Sequence, residues 1–259
     1  MFSPSKKITT KDIQELYYIT DIDNVPSILD KGILSHNDAQ DIPHTDISNK
    51  TIQSLRKDKA IQLNDQHKTT LPLWSFVCLF AQPHNAMMYV SRGKHICVLR
   101  IDKAILERDD IYISDRNASC HNASFSKAEN WALTNKTARC LYSRHSLPYS
   151  TNTIDPNDYK SIRQLEILCP KKVAKEFILG FFAKQKEDME VLLDIVKDKL
   201  LSLSVTMNAN IFFLGKSLRL NTFTPITKNT IDVKDSENVH AKDDHDENKI
   251  ILGFSSFSI

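Results

Sequence analysis

Glycine is scarce in this chain of 259 residues: only Gly32, Gly93, Gly180, Gly215 and Gly253 occur, and no two lie close together. The glycine-rich turn of Rossmann folds and the phosphate-binding P-loop both need two or more glycines within a few residues. The sequence therefore excludes these two nucleotide-binding motifs. A nucleotide, if the protein uses one, has to bind in another kind of fold.

The chain also lacks paired cysteines and long apolar runs. Its five cysteines are odd in number and widely spaced, with no Cys-x-x-Cys pair, which favours neither a disulfide framework nor a zinc site. No histidine pair shows the spacing of a helix-borne metal site, so we expect reduced thiols and no metal. No stretch approaches the roughly 20 apolar residues that a membrane helix needs. We therefore expect a cytoplasmic protein with no membrane partner.

Composition predicts one domain and a tail. At 41% hydrophobic and 25% charged residues the chain can bury a normal core, which we expect over residues 1–215. Residues 232–248 are acidic and nearly devoid of large apolar groups, so 216–259 is predicted to be a tail that is partly disordered or docks on a partner. The formal net charge of +2 permits a nucleic-acid partner without requiring one.

The hydrophobic pattern predicts alternating strands and helices. Residues 16–20 predict a strand, and Pro26 in a first turn with Gly32 at the stop predicts a helix directly after it. Further strands are predicted at 73–81, 95–101, 111–114, 161–170, 177–182 and from 204, and helices at 85–89 and 186–203. Residues 36–70 predict a long polar surface excursion with one short helix around 52–61, and such excursions are often binding loops.

The predicted strand at 161–170 carries polar residues that a core strand does not need. If its side chains alternate, Gln164 and Glu166 share one face while Leu165 and Ile167 share the other. A Gln-x-Glu pair on a strand is typical of mono-ADP-ribosyltransferases. Alone it decides little, because most such triplets are solvated strand faces.

Four segments of the sequence, spread over about residues 12–215, resemble motifs of one known family. They are 16–35, 76–89, 114–119 with Phe125, and 163–168. In this order they resemble the DarT family of nucleic-acid ADP-ribosyltransferase toxins. The resemblance implies an α+β fold, built on a mixed or antiparallel split β-sheet with flanking helices, and an NAD-dependent transferase that consumes NAD as co-substrate.

The same resemblance assigns the catalytic and NAD-binding residues. Glu166 falls on the family's catalytic glutamate, which grips the nicotinamide ribose. Arg56 falls on its NAD-gripping arginine, and we expect it to clamp the diphosphate, because the planar guanidinium fork suits that group. The candidate NAD-binding residues are Tyr18, Thr20, Asn24, Met87 and Tyr89.

A second set of residues is assigned to the nucleic-acid acceptor. An amide such as Gln164 both donates and accepts hydrogen bonds, which suits it to orient a base. The polar run before the catalytic strand interleaves aromatic and basic side chains, as single-strand binding requires. The candidate acceptor-binding residues are Gln164, Arg163, Asn117, Arg116, Phe125, Arg139 and Arg144.

The sequence departs from the family in places and leaves alternatives open. Tyr18 stands where the family usually has histidine, and His84 and Ala86 replace the usual arginine and proline. Single-stranded DNA is the favoured acceptor, with RNA close behind; a protein side chain or an RNA 2′-phosphate is a further possibility, as is a binding module with a decayed NAD site. As a toxin the protein would have a cognate antitoxin: a macrodomain hydrolase, a direct binder of the tail, or both.

Overall fold

The computed structural model describes residues 8–64, 69–133 and 161–212. The predicted tail and its boundary at residue 215 lie outside the described residues, as do Arg139 and Arg144. Among the helices of the described part, none is both long and apolar enough to cross a bilayer.

The described residues form fourteen strands, of which eight make one central sheet. In chain order the strands are β1 Ile8–Thr9, β2 Glu15–Asp21, β3 Ile33–Leu34, β4 Ala60–Asn64, β5 Thr69–Pro72, β6 Phe76–Phe80, β7 Ile96–Asp102, β8 Tyr112–Ser114, β9 Phe125–Lys127, β10 Ala132–Leu133, β11 Glu166–Pro170, β12 Lys172–Val173, β13 Ile178–Ala183 and β14 Ser204–Met207. The central sheet has the order β14-β13-β7-β2-β6-β11-β8-β9, and its pairs are antiparallel except β13 with β14.

Four α-helices flank the sheet within the described residues: α1 Val25–Lys31, α2 Lys50–Asp58, α3 Ala86–Val90 and α4 Lys186–Asp198. Gly32 is the C-cap of α1; its φ is 83°, and a Cβ there would collide with the Val173 carbonyl, so only glycine fits. Asn49 is the N-cap of α2, and its side chain accepts hydrogen bonds from the N–H groups of Thr51 and Ile52. Short 3-10 turns join other elements at Thr10–Asp12, Ile22–Asn24, Leu73–Ser75, Lys103–Glu107, Ala128–Asn130, Lys175–Phe177 and Ala209–Ile211.

The central sheet is divided between β2 and β6. β2 pairs with β7 from Glu15 to Asp21, but it meets β6 through a single residue pair, Tyr17 with Phe80. On the other side, β6 pairs with β11 along its whole length. The sheet is therefore two half-sheets joined at one point, which confirms the α+β split-sheet fold.

Apolar side chains bury both faces of the sheet. The largest cluster covers one face and extends to α1 and α4; its fully buried members include Leu16, Leu79, Leu99, Ile167, Phe181 and Leu192. Tyr17, Phe80, Met88 and Phe182 form a second cluster on the other face. Fully burying such side chains stabilises a fold by about 1.5–3 kcal/mol each. The half-sheets are thus fixed by packing on either side of their narrow junction.

Two sequence predictions need correction. The strand predicted at 161–170 begins only at Glu166, because Gln164 and Leu165 donate backbone hydrogen bonds to Ser161 and Ile162 in helix-like turns. Strand alternation therefore does not place Gln164 and Glu166 on one face. The excursion predicted at 36–70 is also more ordered than expected: α2 is followed by the β4–β5 pair.

Candidate active site

The centre of the candidate site is a buried ion pair between Arg56 and Glu166. The Nη2 atom of Arg56 lies 2.6 Å from each carboxylate oxygen of Glu166. The two side chains are only 8% and 2% exposed. Glu166 pairs in the sheet with Phe80, the residue that also makes the lone β2–β6 contact. The ion pair therefore lies beside the junction of the two half-sheets.

Arg56 is fixed from both ends of its guanidinium. Its Nη1 atom donates to the Cys78 sulfur at 2.8 Å, while Nη2 binds Glu166. Burial opposes the charge of Arg56, but the contacts with Cys78 and Glu166 raise its pKa above the ordinary value. Burial raises the pKa of the Cys78 thiol to about 12, so the sulfur is a neutral acceptor. The guanidinium is thus charged and held against the carboxylate.

Ser114 fixes the backbone of Glu166. This serine ends β8, and its hydroxyl accepts the Glu166 N–H at 3.0 Å and donates to the Arg116 carbonyl at 2.5 Å. The β8–β11 backbone pairing stops one residue earlier, at Ile113 with Ile167. The sequence analysis did not predict this role. The only signal in the sequence was a serine at the end of a predicted strand, directly before a polar run.

On the β2 side of the ion pair, Asn24 holds a loop against the strand. Its Nδ2 atom donates to the Thr20 hydroxyl at 3.1 Å and to the Thr45 carbonyl at 2.9 Å, and its Oδ1 accepts the Thr45 N–H at 2.8 Å. Burial, with contributions from Cys78 and Asp46, raises the pKa of Tyr18. Three of the five predicted NAD-binding residues therefore lie on β2 or in the turn that follows it, and Asn24 joins this region to the loop at Thr45.

A cavity of about 330 Å³ opens next to α2. It is lined by His36, Asp46, Lys50, Gln53, Ser54, Lys57 and Trp74. Burial lowers the pKa of His36, and Arg56 acts in the same direction, while Asp46 opposes them. Burial opposes ionisation of Asp46, but its pKa is lowered on balance, and its Oδ1 accepts the Ser48 N–H at 2.8 Å.

On the β8 side, two predicted acceptor residues bind each other. The Nδ2 atom of Asn117 donates to the Oε1 atom of Gln164 at 2.9 Å, and its Oδ1 accepts the Ser119 N–H at 3.0 Å. Arg116 pairs with Asp115 at 3.3 Å. The loop after β8 therefore presents an amide pair near the start of β11, although Gln164 reaches it from a turn and not from a strand.

Met87, Tyr89 and Arg163 are the remaining candidates. Met87 packs against the second core cluster, and Arg92 stacks on the Tyr89 ring at 4.2 Å; neither Met87 nor Tyr89 lines the cavity. Arg163 is half-buried, and its charge acts on His84. Their roles in NAD or acceptor binding stay predictions.

One group of potential metal ligands occurs in the described residues. Asp21, Asp23 and His95 bring ligand atoms within 4.8 Å of one another. Asp21 already accepts the Asp23 N–H at 3.1 Å, and His95 lies 3.1 Å from Asp188. Asp21 and His95 therefore already bind other groups of the protein.

Comparison with known protein families identifies the family of this chain. The family model described as "ssDNA thymidine ADP-ribosyltransferase, DarT" matches residues 17–213. The matched span includes Arg56, Glu166 and the polar groups on both sides of them. The chain belongs to the DarT family. The resemblance found in the sequence is thereby confirmed, and with it membership of a family of NAD-dependent ADP-ribosyltransferases.

Individual relatives agree with this assignment. A "DNA ADP-ribosyl transferase-DNA ADP-ribosyl glycohydrolase fusion protein" of Thermosipho africanus is 41% identical over an alignment covering 41% of this chain and 28% of the relative. The structure of Thermosipho africanus DarTG in complex with ADP-ribose gives a TM-score of 0.65 at 26% identity, covering 80% of this chain and 54% of that one. The chain thus spans only a quarter to a half of these relatives.

Thermus sp. 2.9 DarT shares the fold along its whole length. Its complex with ADP-ribosylated ssDNA gives a TM-score of 0.64 at 19% identity, covering 80% of this chain and 100% of that one. Its complex with NAD+ gives a TM-score of 0.57 at 17% identity, covering 78% and 98%. At these identities the likeness concerns the fold.

Proposed function

We propose that the chain transfers ADP-ribose from NAD to a nucleobase of single-stranded DNA, with thymidine as the acceptor. The observation that carries this proposal is the buried Arg56–Glu166 pair at the junction of the half-sheets. Family membership supports it, as do the NAD+ and ADP-ribosylated ssDNA complexes of Thermus sp. 2.9 DarT. The proposed domain is residues 1–215.

The reaction exchanges one glycosidic bond for another. The bond between the ribose C1″ and the nicotinamide nitrogen breaks, and nicotinamide leaves as a neutral molecule with the bonding electron pair. Positive charge then develops on the ribose. An acceptor atom of the base bonds to C1″ from the open face, and the proton that it carried passes to solvent or to a nearby base. Catalysis therefore requires a placed carboxylate and an aligned acceptor.

Glu166 supplies the carboxylate. Its contact with Arg56 uses one nitrogen between the two oxygens, so further lone pairs stay available to a ribose hydroxyl. Arg56 supplies the counter-charge to this buried carboxylate, and its contacts with Glu166 and Cys78 fix it in that position; the diphosphate clamp stays a separate prediction. Groups that stabilise developing charge typically change rates by about 10²–10³-fold.

NAD is proposed to bind on the β2 side of the ion pair. Thr20, Asn24 and Tyr18 adjoin this side, and the cavity beside α2 extends it. Its volume of about 330 Å³ lies at the lower end of the range for small-molecule sites, which suits one nucleoside of the dinucleotide. Lys50 and Lys57 in its wall supply positive charge near a diphosphate.

The acceptor is proposed to approach from the β8 side. The Asn117–Gln164 amide pair offers donors and acceptors to a base edge, and Phe125 offers a ring for stacking. The two substrates then meet at Glu166 from opposite sides. This arrangement keeps the leaving nicotinamide away from the incoming base.

The biological role follows from the reaction. We propose that modification of single-stranded DNA blocks replication and makes the protein a toxin, in toxin–antitoxin or phage-defence systems. The fusion of a DNA ADP-ribosyl transferase to a DNA ADP-ribosyl glycohydrolase in the Thermosipho africanus relative supports a partner that removes the modification. Residues 216–259 are proposed as a tail that docks on such a partner.

The test is labelling by NAD that carries a label in its ADP-ribose part. The protein is incubated with single-stranded DNA, double-stranded DNA, single-stranded RNA or no nucleic acid, and the products are digested to nucleosides for mass spectrometry. Label on thymidine of single-stranded DNA, lost in Glu166→Gln, is expected. Label on RNA or on protein alone would identify another acceptor. A folded wild-type protein that labels nothing would refute the proposed activity.

A further inference from the structure

Lys59 links the helix of Arg56 to the acceptor side of the site. It follows α2 directly and lies three residues after Arg56, less than one helical turn along the chain. Its ammonium donates to the Cys120 carbonyl and lies 5.2 Å from the centre of the Phe125 ring. Both of these partners come after Asn117 in the loop and strand that follow β8. Lys59 was not among the candidates that sequence reasoning selected.

Two contacts place Lys59 between Arg56 and the acceptor loop: it follows the last turn of α2, and its ammonium binds the Cys120 carbonyl. Burial lowers its pKa, and Arg56 acts in the same direction, while Cys120, Asp115 and Glu166 act to raise it. Asp115 and Glu166 favour the charged form of the ammonium at this position.

A purely structural role at this position does not require the positive charge of a lysine. An apolar side chain would cover the Phe125 ring without the cost of desolvating an ammonium. Within the described residues one of the three N–H donors of Lys59 binds the Cys120 carbonyl, so two are left for a ligand. A lysine that is half-buried beside an aromatic ring and a catalytic carboxylate is suited to an anionic strand.

We infer that Lys59 is an acceptor-positioning residue that binds a backbone phosphate of the single strand next to the modified base. This inference rests on the proposed function, because it assumes that single-stranded DNA enters on this side. It adds a specific phosphate contact that the family resemblance did not assign.

The test is the salt dependence of single-strand binding. Binding of a fluorescent thymidine-containing oligonucleotide is measured by anisotropy at several salt concentrations, with wild-type protein, Lys59→Met and Lys59→Arg. Each phosphate contact to a single strand contributes about 0.7 to the slope of log K against log salt. Lys59→Met keeps the apolar stem over Phe125 and removes the charge. It is expected to weaken binding about tenfold and to lower the slope by about 0.7, and Lys59→Arg should restore both.

Controls separate this contact from a structural tether. Lys186→Met removes an exposed lysine on α4, whose Nζ lies 3.7 Å from Glu190, and should leave binding and slope unchanged. The affinity of Lys59→Met for NAD, measured by calorimetry, should equal that of the wild type. An unchanged slope would overturn the inference, even with a lower melting temperature, and so would a parallel loss of NAD affinity.

Failure of the broader proposal gives a different result. If wild-type protein neither binds nor labels single-stranded DNA, the proposed function fails and the Lys59 contact fails with it. If the wild type binds and labels DNA while Lys59→Met shows the wild-type slope, only the Lys59 inference fails.

Discussion

Because the Arg56–Glu166 pair is buried, we expect that removing either partner lowers the free energy of unfolding substantially. Replacing Arg56 with methionine leaves the Glu166 carboxylate, which is 2% exposed, without its counter-charge. Removing one partner of a buried ion pair costs about 3–5 kcal/mol. In a protein of this size each kcal/mol lowers the melting temperature by about 2–4 °C, so Arg56→Met should melt roughly 6–20 °C below the wild type.

The assay is a double-mutant cycle followed by urea unfolding at neutral pH. The cycle uses Arg56→Met, Glu166→Gln and the double variant. Because the double variant carries no uncompensated buried charge, it should be more stable than Arg56→Met alone and less destabilised than the sum of the single changes. A matched exposed pair is available in Arg108 and Asp110, which lie 2.6 Å apart with side chains 30% and 43% exposed. Arg108→Met should cost at most about 1 kcal/mol.

Small and additive changes in the free energy of unfolding would refute this reasoning. If Arg56→Met and Glu166→Gln each cost less than about 1 kcal/mol and their effects simply add, the pair behaves like a solvated surface contact. The buried carboxylate would then not need Arg56 as its counter-charge, and the role assigned to the guanidinium would be wrong.

Three further changes have defined outcomes. Ser114→Ala leaves the Glu166 N–H without its acceptor, so it should destabilise the fold by about 1–3 kcal/mol and lower kcat for transfer, with the Kd for NAD unchanged; an unaltered kcat would contradict the positioning role. Trp74→Ala should weaken NAD binding about tenfold in calorimetry while single-strand binding persists, because Trp74 lines the cavity assigned to NAD. Burial and the charge of Arg163 lower the pKa of His84 to about 4, below the value of about 6.5 in an unfolded chain. The contribution of His84 is therefore complete above pH ~6.5 and is lost as the pH falls towards 4, so stability measured against pH should decline less over this window in His84→Gln than in the wild type.

Local patterns predicted those parts of the fold that depend on local physics. The strand, turn and helix over residues 16–32 follow from β-branched residues, an early proline and a glycine stop, and the structure has β2, a 3-10 turn, α1 and the positive φ of Gly32 in that order. The short helix expected around 52–61 is α2, displaced by a few residues. In each case neighbours in the sequence determine the structure.

Long-range contacts were beyond such patterns. Arg56 and Glu166 are 110 positions apart in the chain, so no periodicity relates them. The family resemblance placed both residues in the active site, with Arg56 on the NAD diphosphate, but it did not predict that they bind each other. The strand boundary was misjudged at Gln164 because its backbone bonds Ser161 within a turn, and apolar alternation does not reveal such a turn. Lys59 escaped notice because its partners, Cys120 and Phe125, are distant in sequence.

The buried ion pair is itself an argument for function. Apolar side chains of similar volume at positions 56 and 166 would stabilise a fold as well or better, because two desolvated charges rarely recover their hydration energy. An ionised carboxylate at the junction of two half-sheets is of use to a reaction that develops positive charge there. A variant with Arg56→Met and Glu166→Leu together should therefore keep near-wild-type stability and transfer about 10²–10³-fold more slowly. Transfer at the wild-type rate in that folded variant would show that the carboxylate is not the group that stabilises the ribose cation.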